Sequence, residues 1–292
     1  MFERPSLPAL KVRDQLFEWG TRTYVMGIIN ATPDSFSGDG LGDRVESCVA
    51  RAAGFAESGA DIIDIGGEST RPGHEPVSES EELKRVIPVV DAIRRRLDVP
   101  ISIDTFKPAV AVEALSAGAD IINCVWGAIP GIVELAGRAG VPLVVMHNRV
   151  NAEYDGDCVQ EVIGSLELAT RYARESGIVQ DRIIVDPGIG FGKTPDHNVE
   201  ILGRLDEFAL RLPFPLLVGV SRKSFIGKIT DSPVDQRAYG TAAAVALAIA
   251  GGADIVRVHD VLEMRQVVDV ADAICRVGAA HAPARTPTPR LR

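Results

Sequence analysis

The stretch Gly59-Ala60-Asp61-Ile62-Ile63 returns twice further on, as Gly118-Ala119-Asp120-Ile121-Ile122 and Gly252-Ala253-Asp254-Ile255-Val256. In each copy a helical pattern closes on a glycine, a short loop follows, and an apolar run of strand length begins. That is the signature of a helix feeding a buried parallel strand. Each run then meets polar residues: Asp64 and Glu68 after the first, Asn123 after the second, Arg257 and His259 in the third. In a closed parallel barrel all such strand ends open on one face, where the chemistry is done.

Working outward from these copies, strand-like runs fall at Tyr24–Asn30, Ile62–Gly66, Ile101–Asp104, Ile121–Asn123, Leu143–His147, Ile183–Asp186, Leu216–Val220 and Ile255–His259. Helical patterns lie between them: Arg44–Ser58, Glu79–Leu97, Ala109–Ala117, Ile132–Ala139, Cys158–Ser176, Asn198–Leu205, a start at Ser224 with its main segment over Gln236–Ala250, and Val261–Cys275. Neighbouring parallel strands need a crossover, so the alternation predicts a single α/β domain of the (β/α)8 TIM-barrel type over residues 1–278. An open doubly wound sheet is the weaker alternative, because no Gly-x-Gly-x-x-Gly turn follows the first strand and the polar strand ends are spread along the whole chain. Residues 279–292, with Pro283, Pro287 and Pro289, read as a flexible C-terminal tail.

The 292 residues are 46% hydrophobic, ample for one core, and carry a net charge of -9. That charge leaves no footprint for nucleic acid or an anionic membrane and points to small-molecule partners held in a local pocket. Cys48, Cys124, Cys158 and Cys275 are scattered without metal spacing, and the N-terminus lacks a basic region followed by a long apolar run. A reduced, cytoplasmic protein is expected.

Asp104 closes one apolar run, Asn123 another, and Asp186 precedes the glycine-rich Gly188-Ile189-Gly190-Phe191-Gly192. A lone buried aspartate is as often a cap or a loop brace as a ligand. Several at barrel strand ends together point to a heterocycle presenting adjacent N–H donors, since a guanidine-like edge fits a carboxylate bidentately. A second group is cationic. Ser221-Arg222-Lys223-Ser224 follows the seventh strand and starts a helix, and Arg257 and His259 stand two apart on the eighth, on one face. A salt-bridged strand end is the plain reading of that pair; a grip on phosphate is the functional one. Two turn-rich segments, Asn30–Gly40 and Gly66–Gly73, are long enough to serve as lids, the second bringing Arg71 to the rim.

Together these segments resemble dihydropteroate synthase. Met26–Ser37 is similar to that family's first signature and Asp64–Gly73 to its second. Ser102–Thr105, Ile122-Asn123, Met146-His147, Asp186–Lys193, Ser221–Ser224 and Arg257–Asp260 follow in the family's order and spacing. The resemblance runs from about Tyr24 to about Val277. It implies a transferase of folate biosynthesis that condenses 6-hydroxymethyl-7,8-dihydropterin diphosphate with 4-aminobenzoate, with Mg2+ as cofactor, a homodimer through the last helices, and sulfonamides as competitors.

Carried over by position, Asp104, Asn123, Asp186, Lys223 and Arg257 would bind the pterin. Asn30, Arg71, Arg257 and His259 would contact the diphosphate, Asn30 also touching the metal. Phe36, Thr70, Pro72, Phe191 and Ser224 would shape the aminobenzoate pocket, and Asp104, Lys223, Arg257 and His259 would carry the catalysis. The chain departs from the family pattern at Cys124, where an aspartate is usual, at Gly38-Asp39-Gly40, and at Asn148-Arg149-Val150. Alternatives are a pterin-dependent methyltransferase, which needs neither lids nor the cationic pair, a non-catalytic pterin-binding paralogue, and another phosphate-binding barrel enzyme.

Overall fold

The computed structural model describes residues 4–32, 41–68 and 76–276. The predicted tail over 279–292 lies outside the described residues. Eight parallel strands form the main sheet: β3 (Tyr24–Asn30), β4 (Ile62–Gly66), β5 (Ile101–Asp104), β6 (Ile121–Cys124), β7 (Leu143–Met146), β8 (Ile183–Asp186), β9 (Leu217–Val218) and β10 (Ile255–Val258). They follow the order β8-β7-β6-β5-β4-β3-β10-β9. A parallel bridge between Val185 and Leu216, with Val185 N–H donating to Pro215 O at 2.9 Å, joins the outer two strands into a nearly closed barrel. Helices lie between the strands: α1 (Leu41–Glu57), α2 (Glu79–Arg96), α3 (Pro108–Ala117), α4 (Pro130–Ala139), α5 (Cys158–Glu175), α6 (Pro195–Gly203), α7 (Leu205–Arg211), α8 (Ser224–Thr230), α9 (Ala238–Ala250) and α10 (Val261–Cys275). The predicted barrel is the observed one.

The three repeated stretches do the same structural work. Gly59, Gly118 and Gly252 adopt φ of 93°, 111° and 100°, a left-handed turn open to glycine. The next residue's N–H returns to the helix, from Ala60 to Phe55 O, Ala119 to Ala114 O and Ala253 to Ala248 O, which is the Schellman closure. The aspartate then starts the sheet. Asp61 pairs with Val25 through both backbone groups, its N–H donating to Val25 O and its carboxylate accepting Val25 N–H, each at 2.8 Å. Asp120 does so with Ile101 and Asp254 with Leu216. Arginines neutralise the three: Arg22 for Asp61, Arg94 for Asp120, Arg4 for Asp254.

Side chains alternate between two apolar layers, as a period of two requires. Val25, Ile29, Ile63, Ile65, Ile101, Ile103, Ile122, Val145 and Val185 pack outward against the helices. Tyr24, Met26, Ile62, Ile121, Val144, Ile184, Leu217 and Ile255 pack inward on one another. One or two steps later the inward register becomes polar, at Asp64, Asp104, Asn123, Asp186 and Arg257. The barrel is therefore plugged with hydrocarbon below and lined with charge above.

The structure departs from the sequence-based expectation in four places. An antiparallel hairpin, β1 (Leu10–Val12) with β2 (Gln15–Phe17), seals the lower mouth by adding Leu10, Val12 and Phe17 to the inward cluster. The run expected to be one helix over Asn198–Leu205 becomes α6 and α7, broken at Arg204 (φ −124°, ψ 29°). The seventh barrel strand pairs over only two residues, Leu217 and Val218, and His259 lies just beyond the end of β10. Among the described residues no helix is long and apolar enough to cross a membrane.

Candidate active site

Arg257 stands at the centre of the upper barrel. Its Nε donates to Asp64 Oδ2 at 2.6 Å and its Nη2 to Asp104 Oδ2 at 2.7 Å. Asn123 Nδ2 donates to the same Asp64 oxygen at 3.2 Å. Four inward side chains from β4, β5, β6 and β10 thus form one network, and each follows an apolar residue, Ile63, Ile103, Ile122 or Val256, that faces the helices. Buried charges persist when paired and hydrogen-bonded, and here one cation is shared by two carboxylates. Burial works to lower the Arg257 pKa, but the charges of Asp64 and Asp104 outweigh it and hold the guanidinium protonated. Burial pushes the Asp104 carboxyl up, and Arg257 opposes that rise.

Asp186 forms the opposite wall. Its Oδ1 accepts the Gly188 N–H at 2.7 Å, which the left-handed Gly188 (φ 71°) makes possible in so tight a turn. A Cβ at Gly188 would lie 1.8 Å from His147 O, so only glycine fits. Burial pushes the Asp186 carboxyl up to about 6, against the Gly188 N–H and the charges of Lys223 and Arg257. The Lys223 charge opposes the rise of both the Asp104 and the Asp186 carboxyl. Its Nζ also lies 3.9 Å from the centroid of the Phe191 ring, a cation over an aromatic face.

The remaining predicted residues divide. Asn30 ends β3, half-buried on the rim and level with Gly66 of β4. His259 is turned to Ser221: its Nδ1 lies 3.0 Å from Ser221 Oγ, which also accepts the His259 N–H at 3.2 Å. Ser224 is exposed at the start of α8, next to Lys223. Phe36, Thr70, Arg71 and Pro72 lie outside the described residues. Arg257 and His259 do not act as a bare cationic pair; the plain reading of a salt-bridged strand end describes Arg257 as it stands here.

Two participants were given no role from the sequence. Asp64 was visible as a polar strand residue, but its partnership with Arg257 depends on register across the barrel. Lys193 was visible only as the end of a glycine-rich run. Its Nζ lies 2.8 Å from His147 Nδ1 and donates to Phe191 O at 3.0 Å, tying β7 to the loop after β8. Burial lowers the Lys193 pKa to about 7, and burial together with Lys193 lowers that of His147 to about 3. His147 is a neutral brace in this arrangement. His197 closes the capping box of α6 with Thr194. Cys124 faces the helix layer, fully buried, and not the cavity.

Comparison with known proteins gives this geometry its context. The family of pterin binding enzymes matches residues 26–259. The chain is 50% identical over 279 residues to the dihydropteroate synthase of Synechocystis, covering 92% of this chain and 96% of that one. It is 47% identical over 262 residues to the enzyme of the same name from Bacillus subtilis, covering 89% and 91%. Among solved structures, a dihydropteroate synthase from Clostridium difficile, determined in the presence of pteroic acid, superposes with a TM-score of 0.86 at 44% identity, covering 89% and 99%. That of Xanthomonas albilineans in complex with 7,8-dihydropteroate gives 0.84 at 40%, covering 91% and 98%.

Proposed function

The chain belongs to the pterin-binding enzymes, as a dihydropteroate synthase, and from that premise we propose how the upper face of its barrel divides the work. It is a transferase of folate biosynthesis that joins 6-hydroxymethyl-7,8-dihydropterin diphosphate to 4-aminobenzoate, forming 7,8-dihydropteroate and diphosphate. The methyltransferase and paralogue readings are not retained, since curated relatives at 42–50% identity are synthases. The observation that supports the division of roles most directly is the convergence of Asp104, Asn123 and Asp186 with Lys223 and Arg257 above an apolar plug.

In this proposal Asp186 and Asp104 accept the N–H edge of the pterin, Asn123 and Lys223 complete its hydrogen bonds, and the Arg257 guanidinium covers one ring face. The bond between the pterin methylene and the diphosphate oxygen breaks with its electron pair leaving on the diphosphate. The dihydropterin ring spreads the positive charge left behind, and the fixed carboxylates stabilise it without reorganising. Asn30, Arg71, Arg257 and His259 receive the departing diphosphate. The aryl amine attacks the methylene from a pocket shaped by Phe36, Thr70, Pro72, Phe191 and Ser224, then loses its proton. Sulfonamides occupy that same pocket in competition. No side chain serves as a nucleophile.

Asn30, at the rim end of β3, offers a carboxamide oxygen to a magnesium ion carried on the diphosphate. Among the described residues no cluster of three or more His, Cys, Asp or Glu side chains could hold a metal, and Mg2+ characteristically takes one or two protein oxygens plus phosphate and water. Asn30 would hold it, and the ion would neutralise charge on the leaving group.

A homodimer through the last helices is supported by the exposed faces of α9 and α10. Tyr239, 91% exposed, is followed at helical spacing by Ala243, Leu247 and Ala250, and on α10 Leu262, Val270, Ala273 and Ile274 form a second apolar stripe. Four free cysteines support the cytoplasmic reading. The test is diphosphate release from the purified protein with Mg2+, with and without 4-aminobenzoate, with the product identified by mass. Aminobenzoate-dependent dihydropteroate that a sulfonamide suppresses is expected; pterin binding without dihydropteroate would overturn the assignment.

A further inference from the structure

We infer that Asp64 is the positioning residue of this site: its carboxylate orients the Arg257 guanidinium and the Asn123 carboxamide together, and the Ser102 hydroxyl completes its hydrogen bonding from the neighbouring strand. The inference rests on the roles proposed for Arg257 and Asn123.

Asp64 lies beneath the substrate-facing groups. It is 0% exposed, against 9% for Asp104 and 5% for Asp186. Its Oδ2 takes Arg257 Nε at 2.6 Å and Asn123 Nδ2 at 3.2 Å, so that oxygen is occupied from within the protein. Arg257 is planar and carries its donors in a rigid fork. Fixing Nε on Asp64 therefore fixes the plane of the whole group, and with it the Nη2 contact to Asp104 at 2.7 Å.

Oδ1 of Asp64 has no partner among the described residues, although it is buried. Ser102 Oγ is buried without a partner as well. The two residues are Cα partners across β4 and β5. Each sits between two isoleucines that face the helix layer, Ile63 and Ile65 for Asp64, Ile101 and Ile103 for Ser102, so both side chains point inward at one level. Neighbouring strands lie about 4.8 Å apart. Two orphaned polar atoms on adjacent strands answer each other: one is an acceptor only, the other a hydroxyl able to donate. No direct hydrogen bond joins the two atoms, so the hydroxyl reaches Oδ1 across one buried water. This bridge holds the carboxylate from below while Arg257 and Asn123 hang from it above. Asp64 touches no substrate atom and acts through its two partners.

The test is steady-state and single-turnover kinetics of the intact protein. Asp64→Asn keeps the shape and an oxygen for Asn123 but removes the charge facing Arg257. It is expected to lower kcat about tenfold, the loss of one charge-assisted bond, with KM for 4-aminobenzoate within about twofold. In an Arg257→Gln background the same change is expected to cost less than about twofold, because its partner is already gone. An Asp64→Asn variant at wild-type kcat, or a loss that multiplies in full with Arg257→Gln, would overturn the inference. Should Asp64→Asn fail to fold, Ser102→Ala leaves every charge in place. It is expected to lower kcat about threefold, with Ser102→Thr restoring it, and Ser102→Ala at the wild-type rate would remove Ser102 from the scheme. Wild-type protein that forms no dihydropteroate would sink the functional reading itself, whereas active wild type with indifferent variants would sink only this inference.

Discussion

The guanidinium of Arg257 lies 2.7 Å from the carboxylate of Asp104, on strands 153 residues apart in sequence. The contact places the cation proposed to cover the pterin directly on a carboxylate proposed to bind it, so substrate entry must share Asp104 between the two. Arg257 can give up that contact without losing its place, because Nε remains on Asp64.

Lysine at position 257 would keep the charge and lose the fork that bridges Asp64 and Asp104. Arg257→Lys is expected to lower kcat/KM for the dihydropterin diphosphate roughly a hundredfold, the equivalent of about two charge-assisted hydrogen bonds, while the folded protein persists. Steady-state kinetics with each substrate varied in turn checks this. Unchanged kcat/KM would take Arg257 out of the site.

The Asp186 carboxyl, pushed up by burial to about 6 from 3.8, makes two opposite demands on pH. Between those values the folded protein holds a proton that the unfolded chain has released. The group's stabilising contribution to the ligand-free protein is therefore present at low pH and lost as pH rises through about 6. Pterin N–H donors need the ionised form, so kcat/KM for the dihydropterin diphosphate is expected to fall as pH drops below about 6. Asp186→Asn removes both effects. Its ligand-free Tm relative to wild type should rise between pH 5 and 7.5, and its pterin affinity should be lower by about tenfold or more, since a carboxamide has one acceptor oxygen and cannot take a pair of parallel N–H bonds on two atoms. A relative Tm that is flat with pH, or normal affinity by calorimetry, would refute this placement.

Asp120 separates stability from chemistry. Its carboxylate accepts the Ile101 N–H at 2.9 Å and pairs with Arg94, at the end of the barrel away from the site. Asp120→Ala would leave the Ile101 N–H without its acceptor and remove the carboxylate facing Arg94, and should cost about 1–3 kcal/mol, read as a lower urea midpoint. Asp120→Asn, which keeps an acceptor, should lose less. Kinetic constants of both folded variants should stay at wild-type values; a changed KM for either substrate would show that the lower barrel reaches the site.

Much of this was legible before any coordinates. Strands such as Ile62–Gly66 and Ile183–Asp186 stand out because they are short apolar runs ending in charge, and their bounds match the observed ones. The glycine-alanine-aspartate repeat announced helix-to-strand joints, but the duty of its aspartate, pairing with both backbone groups of a residue on the neighbouring strand, depends on register. The hairpin over Leu10–Phe17 was illegible because its two strands are three residues each, and its apolar residues acquire meaning only against the barrel mouth. Asp64 with Arg257, and His147 with Lys193, are pairs made by barrel closure and by loop packing, and neither spacing is visible along the chain.

Cys124 is where the chain departs from its family's usual aspartate, and its position decides what the departure costs. Neighbours 123 and 125 bracket it on β6 and its edge: Asn123 points into the site, so the next side chain points out, and Cys124 is buried in the helix-side core. Burial pushes its thiol up to about 11, opposed by the nearby backbone N–H groups of Trp126 and Ile129. Those two donors mark the turn leading into α4, where Ile129 is the residue before the first helical turn. A carboxylate at 124 would accept the same two N–H groups, so its loss to cysteine bears on that turn and not on the pterin. Cys124→Asp is accordingly expected to leave kcat and both KM values within about twofold, and the wild-type thiol should resist alkylation in the folded protein. A tenfold change in any of the three constants, or rapid labelling of Cys124, would show that position 124 communicates with the cavity after all.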